Sequence, residues 1–104
     1  MENYSAYSAP EIVRILGARF KDYRMRANLT QKEVSEKAGI TIQTIHRFES
    51  GLANNITLGN FLMLLKTVGS LRDLDNLMPE QPESPYLLKN KKKIQRIRHK
   101  KEQL

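Results

Sequence analysis

Between Thr30 and Gly51 the apolar residues fall at Val34, Ala38, Ile40, Ile45 and Phe48, a spacing that gives two short helices one shared inward face. The run Thr30-Gln31-Lys32-Glu33 has the form of a capping box, in which a hydroxyl and the carboxylate three residues on satisfy backbone donors at a helix start. The first helix therefore begins at Gln31. It ends near Ala38, because Gly39 accepts the positive φ of the residue after a helix. Thr41 offers a second N-cap two residues later, and Gly51 fits the second helix's terminator. Ser35 is small where a bulky side chain would meet the second helix. On the outward face Ile42, Gln43, His46 and Arg47 recur at i, i+1, i+4 and i+5, along one exposed side.

The flanking chain carries the same helical period. Ser8 is placed to cap a helix with Pro10 near its first position, running to about Ala27. Its expected inward stripe is Ile12, Leu16, Phe20 and Tyr23, with Arg14, Arg19, Lys21 and Arg26 largely outside it. Residues 1–9 read as an arm of little fixed structure. After a loop from Leu52 to Ile56, a helix from Thr57 to Val68 is expected to bury Leu58, Phe61, Leu62, Leu65 and Val68, with Met63 and Leu64 at its edge. Gly69 ends it. Ser70 then caps a fifth helix bearing Leu71, Leu74 and Leu77, which Pro79 stops. The pattern thus predicts an all-α domain of five helices over residues 10–78, followed by a Pro-containing linker and tail over 79–104. Leu64, Leu71, Leu74 and Met78 exceed what one small core absorbs and are the expected seam of a two-fold homodimer, with a monomer that binds a single site weakly as the alternative.

Charge sharpens this division. Residues 1–88 hold ten basic and ten acidic side chains, whereas residues 89–104 hold eight basic and one acidic. The net charge of +7 therefore lies wholly in the tail, on Lys89, Lys91, Lys92, Lys93, Arg96, Arg98, Lys100 and Lys101. A polyanion is the expected partner, since the placement of cations matters more than the domain's net charge. In one reading the tail is an arm along phosphates. In another, Leu87, Leu88, Ile94 and Ile97 dock on a protein partner as the segment orders. RNA or an anionic membrane surface is a weaker third.

The remaining chemistry is mostly exclusion. With no cysteine there is neither a disulfide framework nor a thiolate metal site, as in a reducing cytoplasm. The start of the chain lacks the form of a signal peptide, and the apolar run from Phe61 to Leu65 is too short to span a bilayer. The five glycines form no phosphate-cradling loop, and His46 and His99 lack ligand neighbours at metal spacing. Glu33 with Glu36, and Asp73 with Asp75, read as solvated surface charges rather than a catalytic pair. No enzyme, cofactor or metal is expected.

Gln31 through Ser50 resembles the helix-turn-helix of phage-repressor and Cro-like (lambda-repressor-like, XRE) regulators. Gln stands at the first position, a small residue at the fifth, Gly at the ninth, and apolar residues at the fourth, tenth, fifteenth and eighteenth. The resemblance implies a dimeric repressor of its own operon that binds double-stranded operator DNA in the cytoplasm, associated with the nucleoid. It also implies an ion pair between Arg24 and Glu49, against two solvated charges as the alternative. Gln43 suits adenine, Arg47 suits guanine, and Ile42 suits a thymine methyl, with His46 able to serve base or backbone. Gln31, Thr41, Thr44, Asn54, Asn55 and Thr57 are the candidates for phosphates. The loop from Leu52 to Ile56 lacks the cations that relatives often place there. The Ser84-Pro85 start and the basic Gln-Arg-Ile-Arg run resemble, more loosely, the C-terminus of HipB-like antitoxins, implying a HipA-like kinase toxin as an alternative partner.

Overall fold

The computed structural model describes residues 3–83. The helices are α1 (Ala9–Arg26), α2 (Gln31–Ala38), α3 (Ile42–Ser50), α4 (Leu58–Thr67) and the single turn α5 (Leu74–Leu77), with 3-10 turns at Tyr4–Ala6 and Leu71–Asp73. No strand occurs among the described residues. The chain separates into two units, Met1–Leu74 and Asp75–Leu104. The cations expected of the tail, from Lys89 to Lys101, lie outside the described residues.

Helix boundaries follow local chemistry. Ser8 caps α1 by accepting from the Glu11 N–H, and the Glu11 carboxylate accepts in turn from the Ser8 hydroxyl and N–H. Those bonds, the side-chain one foremost, hold the Glu11 carboxyl below its ordinary pKa. Thr30 and Glu33 make the same reciprocal pair at α2, both bonds at 3.0 Å, and the backbone N–H of Thr30 is the main cause of the lowered Glu33 pKa. Glu33 is thus a capping group. Gly39 ends α2 at φ 69°, in the left-handed region. Ser35 contributes more than its small size, since its Oγ donates to the Ile40 carbonyl at 2.5 Å across the turn.

Val34, Ala38, Ile40, Ile45 and Phe48 are all buried, as their spacing requires, and Phe20 and Leu64 complete the centre. Phe48 joins three helices. Its ring lies 6.0 Å from Phe20 of α1 and, edge-on, 6.2 Å from Phe61 of α4, in the offset geometries aromatic pairs favour. The close approach of α1 to α3 depends on Gly17, because a Cβ there would overlap the Phe48 carbonyl oxygen and stand 2.8 Å from its carbon.

Three expectations fail in informative ways. The inward stripe of α1 is Val13, Leu16, Gly17, Phe20 and Arg24, while Tyr23 is exposed. The absence of a side chain at Gly17 lets α3 close onto that side. On α4 the assignment is reversed at two leucines: Leu64 is 0% exposed and Leu58 is 71% exposed. Phe61, Leu64 and Val68, at i, i+3 and i+7, form the inward face, with Leu62 and Leu65 half-buried beside it. Leu64 therefore belongs to the core and not to a dimer seam. The fifth helix is one turn long, and the Ser70 side chain caps nothing; the Ser70 carbonyl instead accepts from Asp73 N in a 3-10 turn. Leu71 and Leu74 are half-buried, whereas Leu77 and Met78 are exposed.

The N-terminal segment has more form than an arm. Asn3 caps the turn at Tyr4–Ala6, and Arg19 both hydrogen-bonds the Tyr4 hydroxyl and lies over its ring, 5.7 Å from the centroid.

Candidate nucleic-acid interface

The recognition candidate is α3, and its two sides have opposite fates. Ile45, Phe48 and Glu49 are buried, while Thr41, Ile42, Gln43, His46, Arg47 and Ser50 are exposed. A helix so anchored offers its polar flank in a fixed orientation. Its start is set by Thr41, whose Oγ1 accepts from Thr44 N at 3.2 Å and shares a 2.8 Å hydrogen bond with the Thr44 hydroxyl. Its end is set by Gly51 at φ 78°. The aliphatic stem of Arg14 lies over that glycine, with Cγ 3.6 Å from where a Cβ would stand.

Glu49 fixes the rotation of α3. Its carboxylate accepts from Arg24 Nε at 2.7 Å, from Arg24 Nη2 at 2.9 Å and from Gln31 Nε2 at 3.1 Å. Arg24 Nη1 completes the set by donating to the Leu29 carbonyl at 2.8 Å. The two side chains are 11% and 2% exposed, so the alternative of two solvated charges is excluded. One network thus ties the end of α1, the start of α2 and the end of α3. The hydrogen bond to Glu49 raises the Arg24 pKa above its already high ordinary value, so the guanidinium stays charged. Among the described residues no buried side-chain nitrogen or oxygen lacks a partner.

Beyond α3 the loop returns to the same place. Ala53 N donates to the Arg47 carbonyl at 3.0 Å, folding the loop back on the helix end. Thr57 caps α4 by accepting from Asn60 N at 3.1 Å, which leaves its own O–H proton to donate elsewhere. A cleft of about 240 Å³ results. It is lined by the polar residues Thr44, Arg47, Asn55, Thr57 and Asn60 and by the apolar residues Phe48, Ala53 and Ile56.

Four candidates, Thr44, Arg47, Asn55 and Thr57, therefore meet at one cleft. Asn54 is exposed but does not line it, and Gln31 is held by Glu49. Asn60 is a wall of the cleft that the sequence pattern does not single out. Its one signal is its place three residues after Thr57, where its backbone N–H bonds the cap, but it is neither the Glu nor the Gln that marks a capping box. Among the described residues, no group of three or more His, Asp or Glu could hold a metal ion, and no helix is long and apolar enough to cross a membrane.

This architecture of a capped α2, a glycine turn and an α3 with a free polar flank is that of a helix-turn-helix DNA-binding module. A helix-turn-helix family model matches residues 20–74, more than half of the chain. The protein belongs to that family in its XRE, or lambda-repressor-like, form and is a DNA-binding transcription regulator. The family is regulatory rather than enzymatic. No curated protein matches the sequence.

Proposed function

We propose that the protein is a homodimeric repressor that occupies an operator in duplex DNA and controls its own operon. α3 enters the major groove with Ile42, Gln43 and His46 toward base edges, while Thr41, Thr44 and the N–H groups at the helix starts take phosphates. The observation that carries this reading is the asymmetry of α3: one side is locked by Phe48 and Glu49, and the other presents hydrogen-bonding groups to solvent. A surface helix needs no such fixing of its rotation, whereas a helix that reads bases does. Dimerisation follows from the usual pairing of half-sites about 34 Å apart, and the exposed Leu77 and Met78 are available for it.

Selection of bound sequences from a random duplex pool tests the proposal. The full chain is expected to enrich one sequence, and Gln43→Ala is expected to lose about 1–3 kcal/mol at a single base pair. Enrichment of no sequence, or a Gln43→Ala variant that keeps every base preference of the parent, contradicts it.

A further inference from the structure

Resting on that reading, we infer that Arg47 acts on a backbone phosphate in the cleft between α3 and the start of α4 and does not read a base. By helical spacing alone Arg47 belongs with Gln43, because the two share an exposed side of α3. The cleft changes its company. Arg47 lines it together with Thr44 of its own helix and with Asn55, Thr57 and Asn60 from the following loop and helix, whereas Ile42, Gln43 and His46 are absent from its walls.

The chemistry of those walls fits a phosphate. Arg47 is the only ionisable group among them, so nothing anionic opposes a phosphate there. Thr57 keeps a hydroxyl proton to donate, since its oxygen already accepts from Asn60 N, and Asn55 is an exposed amide. Arginine with neutral donors around it forms a charge-assisted site with directional bonds. Charge distribution adds a second argument. From Leu52 to Leu65 the chain has no cation at all, so the positive charge at this cleft comes from α3. Arg47 is the residue of α3 that reaches their cleft. The hydrogen bond from Ala53 N to the Arg47 carbonyl keeps the loop folded against the helix end that bears it.

Phosphate and base recognition leave different signatures. Counterion release makes the salt dependence shallower by about 0.9 in log–log slope for each phosphate that is no longer neutralised. Arg47→Ala in the full chain is therefore expected to bind the selected duplex and each of its single-base-pair variants more weakly by one common factor, with a slope about 0.9 shallower than the parent's. A duplex carrying one uncharged methylphosphonate at the contacted phosphate is expected to weaken the parent by a larger factor than Arg47→Ala, which keeps only the neutral donors. Loss of preference confined to one base pair, with the slope unchanged, overturns the phosphate assignment and leaves the operator-binding reading intact. A parent chain without sequence preference overturns both.

Discussion

Arg24→Ala is expected to lower stability by about 3–5 kcal/mol, the usual cost of removing one partner of a buried ion pair. The size follows from what is left behind. Glu49, 2% exposed in its side chain, would keep only the Gln31 amide, and the Leu29 carbonyl would lose its guanidinium donor. An uncompensated carboxylate inside a small core is far more costly than a missing surface ion pair, where ~0–1 kcal/mol is typical. For a domain of this size, each kcal/mol moves the melting temperature by roughly 4–8 °C. Thermal unfolding should therefore show a fall of well over 10 °C for Arg24→Ala. The paired replacement Arg24→Met with Glu49→Leu should lose much less, because it removes the charge along with its partner. Equal losses in the two variants would mean that a stranded carboxylate is not the source of the instability.

Leu64→Ala is expected to cost about 2–5 kcal/mol, the range for a leucine emptied from a packed core. Leu64 is fully buried between the helices that surround Phe48. Leu58→Ala, six residues earlier on the same helix, is expected to stay within about 0.5 kcal/mol, because that side chain is 71% exposed. Denaturant titrations of the two variants separate the burial observed on α4 from the one its sequence pattern implies. A Leu58→Ala loss as large as that of Leu64→Ala would restore the pattern-based assignment.

These two leucines mark where the sequence stops being legible. The helix-turn-helix itself could be read because its signals are local: a threonine cap, a glutamate at the right offset, a glycine at the turn and a spaced apolar set. Each acts within a few residues. On α4 the run Phe61-Leu62-Met63-Leu64-Leu65 is apolar on every side, so period alone does not choose the inward face. Tertiary packing chooses it, through the edge contact between Phe48 and Phe61. α1 misleads for a related reason, since glycine carries no hydrophobic weight in a pattern, yet Gly17 marks the closest approach to α3. Ser70 looks like Thr30 and Thr57 in sequence, but its φ of −108° and ψ of 11° are not the extended geometry that a capping hydroxyl needs. The candidate site was legible as a set of residues on α3 and less so as a set of neighbours. That Thr44 and Arg47 would meet Thr57 and Asn60 depends on how the loop after Gly51 turns back, and no local signal encodes that.

On the proposed reading, the solvent-facing flank of α3 lies in the groove of duplex DNA. Because the chain has no cysteine, a Ser50→Cys variant can carry a single DNA-cleaving iron chelate at the exposed end of that flank. Bound to its selected duplex, the labelled protein should cut within a few base pairs of one position in each half-site. Cutting spread evenly along the bound duplex, or none while the protein remains bound, would contradict the account.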